Sequence, residues 1–370
     1  MAGKKRTRMK SGDFILTILT LGLVVFGIIM VFSASYYNAI NASGDPYYYL
    51  KRDVLWACIG LILMISTALV DYKVYARFAP AIISISFLLL FLLFTPIGLT
   101  RNNATRWIGV GEMTIMPGEI AKIAVIIFVS WYLSQDPSRI KSLTRGVIPL
   151  LFLAGMMFAL IYKQPNLSTA ITVVGIVVGI MFVAGLSLFY FVGIVGLGAM
   201  GIFGLIMTGG GEKLKRFMSF LDPFKDELGD GYQVVQSLLA LGSGGIFGVG
   251  LGKSIQKTLY LPEPQNDFIF AIIGEELGFV GCLILIACYL LLIWRGIHIA
   301  MNAPDMFGCF MASGITIMLA LQVILNIAVV TSSMPPTGIT LPFVSYGGNA
   351  LMLFMGAMGI LLNISRHSAK

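Results

Sequence analysis

Residues 14–34 read FILTILTLGLVVFGIIMVFSA, a run of 21 residues without a charged side chain. A helix that spans the hydrocarbon core of a bilayer needs about 20 such residues, whereas the apolar segment of a signal peptide has only about 7–15. A basic cluster precedes the run, as in a signal peptide, and consists of Lys4, Lys5, Arg6, Arg8 and Lys10. Because the run is too long for a signal peptide, we interpret it as a retained transmembrane helix.

The rest of the chain has the same apolar character. Of its 370 residues, 58% are hydrophobic and only 11% are charged, and the mean hydropathy is +0.91, whereas about a quarter of the residues of a soluble domain are charged. This composition excludes a disordered chain, a coiled coil and a disulfide-stapled secreted domain. The net charge of +8 does not indicate nucleic-acid binding, because the basic residues lie between apolar segments and form no stripe.

Ten apolar segments are long enough to cross a membrane. They predict an all-α polytopic membrane protein with ten transmembrane helices in a single domain, residues 1–370. The predicted tails are residues 1–13 and 364–370, and one long loop, residues 209–266, connects the seventh and eighth spans. The predicted spans are 14–34, 54–70, 78–99, 118–134, 146–162, 169–186, 188–208, 267–294, 305–330 and 342–363.

The Lys and Arg residues between the spans predict the orientation. With the N-terminus in the cytoplasm, 13 basic residues fall in cytoplasmic segments and 5 in the external segments other than the long loop, and basic residues favour the cytoplasmic side. We therefore expect both termini to be cytoplasmic and the long loop to be extracellular. Both histidines, His298 and His367, would then be cytoplasmic, so a histidine-dependent site on the outer face is not expected.

Two patterns predict local structure. Within the long loop, residues 231–241 (GYQVVQSLLAL) are typical of a short amphipathic helix, and the glycines of 242–252 indicate a tight turn; such a helix could lie on the outer leaflet. The pair Gly175 and Gly179 predicts close helix packing in lipid. The same packing is expected for the series Gly193, Gly196, Gly198, Gly201 and Gly204.

Charged residues within predicted spans are candidate functional groups, because charge at membrane depth is costly. Glu119 and Lys122 are three residues apart, share a helix face and can pair; the pair is either functional or structural. Glu275 and Glu276 leave the same two alternatives. Asp267 stands where the long loop re-enters the membrane, and its carboxylate is either a base of raised pKa or an ordinary helix N-cap.

Basic residues gather on the predicted outer face. They could bind a pyrophosphate or an anionic head group, or they could be solvated charges without a ligand. Arg106 is followed by Trp107, whose ring favours the membrane interface and could anchor a short helix there. The group comprises Arg101, Arg106, Lys213, Lys215, Arg216, Lys253 and Lys257.

Several motifs match one family. Residues 220–278 contain LDPFKD, GDGYQ, QS, GSGG, GLGKS-x-QK, YLPE and NDFIFAIIGEELG in that order, and the chain also contains SAS (33–35), TRWI (105–108), P-x-E-x-x-K (117–122), QPNLST (164–169) and LPFVSYGGNAL (341–351). In these motifs the chain resembles the SEDS (shape, elongation, division and sporulation) family of peptidoglycan glycosyltransferases. The LDPFKD segment and the ending LLNISR (361–366) look more like its FtsW/SpoVE branch than like RodA.

The resemblance implies ten transmembrane helices in a bacterial cytoplasmic membrane and polymerisation of lipid II on its outer face. The implied partner is a class B penicillin-binding protein, alongside division or elongation proteins; no cofactor is implied with certainty, although a divalent cation could assist. Asp267 matches the family's catalytic carboxylate. The implied substrate-binding residues are Arg106, Trp107, Glu119, Lys122, Arg216, Gln236 and Ser345.

The chain departs from the family pattern at two places. Relatives commonly read QPSE where this chain has MPGE at 116–119, and PDLGT where it has PNLST at 165–169. Asn166 thus replaces an acid. Either this position needs only a polar, hydrogen-bonding side chain, or a metal or proton role assigned to the acid does not transfer to this chain.

We predict Asp267 to be the general base toward the acceptor 4-hydroxyl, because no histidine is expected outside and, of the external acids, only Asp267 heads a span. Arg106, Lys122 and Arg216 would meet the leaving pyrophosphate. The alternative is a lipid II flippase, which buried charges and a broken helix near 164–169 would also suit. A third interpretation, a scaffold that recruits division partners, would leave the charges within the spans without a role.

Overall fold

The computed structural model describes residues 12–101, 104–110, 113–208, 217–226, 229 and 231–368. Within these ranges the chain is mainly helical, with one small sheet. The helices are α1 (Phe14–Ser43), α2 (Tyr48–Leu69), α3 (Lys73–Leu92), α4 (Pro117–Gln135), α5 (Ile148–Tyr162), α6 (Leu167–Val183), α7 (Leu188–Thr208), α8 (Tyr232–Ser243), α9 (Ile269–Met301), α10 (Met306–Val330) and α11 (Gly348–His367), and the strands are β1 (Gly98–Arg101), β2 (Ala104–Val110) and β3 (Met113–Ile115).

The predicted fold class is confirmed. Each of the ten predicted spans falls on a helix, and nine helices of the described residues are long and apolar enough to cross a membrane. The remaining one, α6, is apolar but has only 17 residues, so the count of ten spans stays a prediction. The amphipathic segment 231–241 forms α8, which begins one residue later than predicted and packs against α9.

The sheet was not predicted, and the predicted third span is too long. Helix α3 ends at Leu92, and residues 98–115 form a three-stranded antiparallel sheet in the order β1-β2-β3. Arg106 and Trp107 lie on β2, so the expected short helix at this position is wrong. Strands of three to seven residues are too short to register in a search for spans of about 20 residues.

Helices α4, α10 and α11 form the centre of the bundle. About two thirds of each is buried, whereas the apolar stretch Leu188–Leu205 of α7 has no buried residue. Gly175 and Gly179 of α6 allow the side chains of Leu321 and Ile317 to approach closely, as predicted. Close packing of the α7 series is not observed among the described residues, because no heavy atom outside the backbone of α7 lies within 4 Å of a Cβ built on Gly193, Gly196, Gly198, Gly201 or Gly204.

The two described ends of the chain meet at one end of the bundle. The backbone N–H of Asp13 donates to Ser365 Oγ at 3.1 Å, and Arg295 of α9 donates to the Asp13 carboxylate. The site residues described below lie at the other end. This arrangement agrees with an even number of spans, while the predicted cytoplasmic location of the termini remains a prediction.

Helix α9 is kinked at Gly278, which has φ 70° and ψ −168°. The kink separates the N–H groups of 279 and 280 from the carbonyls of 275 and 276, which would be their partners in a regular helix. Backbone groups of the glycine-rich turn bind both these N–H groups and these carbonyls in place of the missing helical partners. The four bonds run from Val249 N to Glu275 O (2.9 Å), Gly250 N to Glu276 O (3.0 Å), Phe279 N to Gly245 O (2.9 Å) and Val280 N to Ile246 O (3.1 Å).

Candidate functional site

Asp267 is placed at the head of α9 but does not cap it. The N-cap residue is Phe268, and no side chain makes a capping hydrogen bond there. The N-cap interpretation is therefore wrong, and the carboxylate is left for another role. Gly338 lies beside it, since a Cβ built on Gly338 would be 3.3 Å from Asp267 Oδ2. The segment 331–347 thus passes beside the carboxylate at Gly338.

The pKa of Asp267 is raised from its usual value near 4 to about 7. Desolvation by the surrounding protein is the largest cause, the negative charge of Glu263 raises the pKa further, and the positive charge of Arg106 lowers it. Desolvation disfavours the charged form of a carboxyl group. A carboxyl group with a pKa near 7 can accept a proton at neutral pH, as a general base must.

Asn326, near the C-terminal end of the apolar helix α10, holds the backbone at Asp267. Its side-chain Nδ2 donates to Asp267 O at 2.8 Å and to Ile339 O at 2.7 Å, and the residue is almost completely buried. The amide thereby joins the head of α9 to the segment that carries Gly338. Sequence reasoning missed Asn326, although an amide within an apolar span is itself a signal, because burying it without partners is costly.

A second contact holds the loop just before Asp267. Tyr346 N donates to Gln265 O at 2.9 Å, and Asn38 of α1 donates to Gln265 Oε1 at 3.1 Å. Gln265 is fully buried. Together with Asn326, these bonds attach the residues around Asp267 to three separate parts of the bundle.

Arg106 lies on β2 and reaches the loop between α5 and α6. Its Nε donates to Gln164 O at 3.3 Å, and its Nη2 donates to Pro165 O. Arg106 is the extra residue of an irregularity in the β1–β2 register, because Trp107 pairs with Leu99 and Thr105 pairs with Thr100. The positive charge of Arg106 lowers the pKa of Asp267, so the guanidinium is within electrostatic range of the carboxylate.

Asn166 is the N-cap residue of α6. Its Oδ1 accepts a hydrogen bond from Thr169 N at 3.3 Å, and a Cβ on Gly118 would be 3.2 Å from Thr169 Cγ2. Asn and Asp are equally good N-caps. The structure therefore favours the first of the two alternatives for this position, in which only a polar, hydrogen-bonding side chain is required.

Glu119 and Lys122 form the predicted pair on α4, with Lys122 Nζ 2.7 Å from Glu119 Oε2. Lys122 is 1% exposed, and its ammonium also lies over the Phe354 ring at 5.6 Å. A direct contact between Lys122 and a pyrophosphate would require this pair to open. Its assignment to substrate binding stays a prediction.

Glu275 and Glu276 both have partners in the loop 244–267. Glu276 pairs with Lys257 at 2.7 Å, and Glu275 accepts a hydrogen bond from Ile255 N at 2.8 Å. The structural alternative therefore applies to both glutamates. Lys257 belongs to the basic group for which ligand binding and simple solvation are the alternatives. It is 3% exposed, so it is not a solvated charge.

Comparison with known proteins decides the family. A family profile described as Cell cycle protein, covering FtsW, RodA and SpoVE, matches residues 14–370. The chain belongs to the FtsW/RodA/SpoVE family. The SEDS resemblance is thereby confirmed.

Two relatives of this family member are similar over nearly their whole length. Stage V sporulation protein E of Bacillus subtilis (strain 168) is 45% identical, with 98% of this chain and 99% of that protein covered. FtsW of Trichlorobacter lovleyi, named a probable peptidoglycan glycosyltransferase, is 38% identical, with 98% and 95% covered.

Solved structures share the fold of this FtsW/RodA/SpoVE protein. A chain from a structure described as the structural coordination of polymerization and crosslinking by a peptidoglycan synthase complex has a TM-score of 0.80 and 26% identity, with 97% of this chain and 99% of that chain covered. The rod shape determining protein RodA of Thermus thermophilus has a TM-score of 0.72 and 26% identity, with 97% and 98% covered.

The remaining predicted site residues differ in how they are placed. Gln236 is half-buried on α8. Ser345 is buried, and its Oγ accepts a hydrogen bond from Leu341 N at 2.8 Å, so its hydroxyl holds a turn. Arg216 lies outside the described residues. Among the residues that the structure describes, no group of three or more His, Cys, Asp or Glu side chains is placed so that it could hold a metal ion.

Proposed function

We propose that this chain is a peptidoglycan glycosyltransferase that polymerises lipid II, with Asp267 as its general base. The observation that carries the proposal is a desolvated carboxyl group whose pKa is raised to about 7, held at the head of α9 near Arg106. Membership of the FtsW/RodA/SpoVE family and the name of the relative that is 38% identical support this activity.

The proposed reaction transfers a glycan from one lipid-linked pyrophosphate to the sugar of another. Asp267 takes the proton from the acceptor 4-hydroxyl, and the acceptor oxygen forms a bond to the anomeric carbon of the donor. The bond between that carbon and the pyrophosphate oxygen breaks, and the pyrophosphate leaves with the electron pair. Attack opposite the leaving group converts an α-linked donor into a β-1,4 product.

Arg106 is the proposed partner of the leaving pyrophosphate. Its guanidinium is always charged and can bind phosphate oxygens in a bidentate manner. The two carbonyl groups of the loop at 164–165 orient it. Lys122 would reach the pyrophosphate only after its pair with Glu119 opens, and Arg216 is proposed from the sequence alone.

The proposal includes a location and partners. The site lies on the outer face of the bacterial cytoplasmic membrane, and both termini lie in the cytoplasm. Lipid II is the substrate, and a class B penicillin-binding protein cross-links the product, in the setting of division, sporulation or cell-shape maintenance. The structural neighbour described as part of a peptidoglycan synthase complex supports this pairing.

The test uses purified protein, with and without its transpeptidase partner, and labelled lipid II. Asp267→Asn removes the base and is expected to lower polymerisation by about 10²–10⁴-fold while the protein remains folded. Asp45→Asn is the matched control, because Asp45 lies in the α1–α2 connection at the same end of the bundle and is solvent-exposed. Glycan synthesis by Asp267→Asn at the control rate would contradict the role of Asp267, and lipid II movement without polymer would support the flippase.

A further inference from the structure

A buried three-part contact joins the loop before Asp267 to two helices. Lys257 Nζ lies 2.7 Å from Glu276 Oε1 and donates to Ser33 Oγ at 2.9 Å. Ser33 Oγ in turn lies 2.7 and 2.8 Å from the two Glu276 oxygens. All three residues are less than a tenth exposed, so the contact connects α1, α9 and the loop within the protein interior.

The neighbouring glutamate holds the adjoining part of the same loop. Glu275 accepts hydrogen bonds from Ile255 N at 2.8 Å, from Gln256 N at 3.4 Å and from Ser254 Oγ. Because adjacent helical residues point in different directions, each glutamate binds a different portion of the loop. The loop is thus fixed to α9 over residues 254–257.

The position of this contact in the chain is informative. Lys257 precedes Asp267 by ten residues, and Glu276 follows it by nine. The ion pair therefore closes the segment 257–276 with Asp267 in its middle. Asn326 holds the same segment from the other side, at the carbonyl of Asp267. The loop at Lys257 and the carboxylate of Asp267 thus belong to one closed segment.

We propose that Lys257, through its contact with Glu276 and Ser33, is a positioning residue for the glycosyl transfer: it fixes the loop so that the Asp267 carboxylate is held in the reactive geometry. This inference rests on the proposed role of Asp267 as the base. Lys257 contacts no substrate, since its ammonium is enclosed by Ser33 and Glu276.

The energetics of buried ion pairs support a geometric role. Removing two charges from water costs about as much as their attraction returns, so such a pair is weak evidence for stability, and its best-attested use is to fix register. A displacement of about 1 Å at a reacting group can lower a rate by about 10²-fold. The reacting carboxylate must therefore be held in place to within about 1 Å. The contact of Lys257 Nζ, Ser33 Oγ and the two Glu276 oxygens, all within hydrogen-bonding distance, can fix the loop in this way.

The experiment compares the double variant Lys257→Met/Glu276→Gln with wild type in the full-length protein and its partner. The double variant leaves no uncompensated buried charge, so we expect it to fold. We expect kcat for lipid II polymerisation to fall by about 10²-fold with KM unchanged. We also expect faster amide hydrogen exchange in residues 254–267.

Two further variants complete the design. Lys51→Met removes an exposed lysine that is paired with Asp45 at 2.8 Å, and we expect wild-type kcat and exchange. Lys257→Arg keeps the charge but changes the reach of the side chain; we expect a folded protein with an intermediate kcat. This variant provides the test if the double variant does not fold.

The outcomes separate this inference from the proposed function. Suppose that Asp267→Asn is inactive but the double variant polymerises at the wild-type kcat. The positioning role of Lys257 is then overturned, while the role of Asp267 as the base remains. Lys257→Arg takes the place of the double variant in this comparison if the double variant does not fold. A loss confined to KM, or to thermal stability, also overturns the positioning role. If Asp267→Asn is active, the proposed base fails, and the exchange of residues 254–267 still reports whether the contact holds the loop.

Discussion

At the scale of single residues, the chemistry depends on where one carboxyl group is placed. Asp267 is neither a cap nor a partner in an ion pair with a distance below 4 Å among the described residues. Its surroundings favour the protonated form, and only the charge of Arg106 opposes them. The sequence indicates the residue, but its altered acidity is a property of the folded protein.

We predict a pH dependence that follows from this environment. The carboxylate is the active form of the base, so kcat/KM should rise with pH and reach half of its maximum near pH 7, because the pKa of Asp267 is raised to about 7 and the profile reports the free enzyme. The measurement is the initial rate of lipid II polymerisation between pH 5 and pH 9, a range of about two units on either side of that pKa.

A neighbouring substitution tests the cause of this shift. Glu263 raises the pKa of Asp267 through its negative charge. Glu263→Gln should therefore move the rising part of the kcat/KM profile, here called the limb, to lower pH. Asp45→Asn removes an exposed charge at the same end of the bundle that is not among the causes of the raised Asp267 pKa, and it should leave the pH profile unchanged. A limb that stays in place in Glu263→Gln would show that another group controls the profile.

At the scale of elements, the kink of α9 and the glycine-rich turn depend on each other. The turn supplies the hydrogen bonds that the kinked helix lacks, and unsatisfied backbone groups are not tolerated at membrane depth. Gly248 makes the close approach possible, because a Cβ there would be 2.2 Å from Glu276 O. The kink, for its part, exposes the backbone groups of α9 to which the glycine-rich turn binds.

We predict that Gly248→Ala is far more damaging than Gly252→Ala. Both glycines have positive φ, at 81° and 79°, so both substitutions carry a backbone cost of about 1–2 kcal/mol. Only Gly248→Ala adds a clash with the helix, since the space around Gly252 is open. Thermal unfolding in detergent measures the difference; equal losses of stability would contradict the proposed dependence between turn and kink.

At the scale of the whole molecule, the site is assembled from parts that are distant in sequence. The sheet, the α5–α6 loop, the loop before α9 and the segment before α11 meet at the end of the bundle opposite the chain termini. The central helices α4, α10 and α11 provide the rigid base for this assembly. The peripheral helix α7 contributes no buried residue over Leu188–Leu205.

We predict the sidedness of this assembly in a cell. In a variant whose four native cysteines are replaced, Lys51→Cys should react with a membrane-impermeant maleimide added from outside, and Lys141→Cys should react only after permeabilisation. Both positions are exposed in the structure, and they lie at opposite ends of the bundle by the predicted topology. The reverse labelling pattern would contradict the proposed location of the site.

Several features were predictable because they are local or depend on composition. The long apolar runs predicted the helices, the three-residue spacing predicted the pair of Glu119 and Lys122, and the residues 231–241 predicted α8. The strands were missed because they are short, and the α7 glycines were misread because a small residue permits close packing without requiring it. Asn326 and the partners of Lys257 were missed because they come from other parts of the chain.

The sequence by itself determined the environment of the chain, the order of its helices and its family, because these depend on apolar length and on contiguous motifs. Only the tertiary structure decided the surroundings of Lys257 and Asp267. It showed Lys257 as a buried partner of Glu276 and Asp267 as a carboxyl group of raised pKa. The physical reason is that desolvation and pairing depend on neighbours in space, and those neighbours lie tens to hundreds of residues apart in the chain.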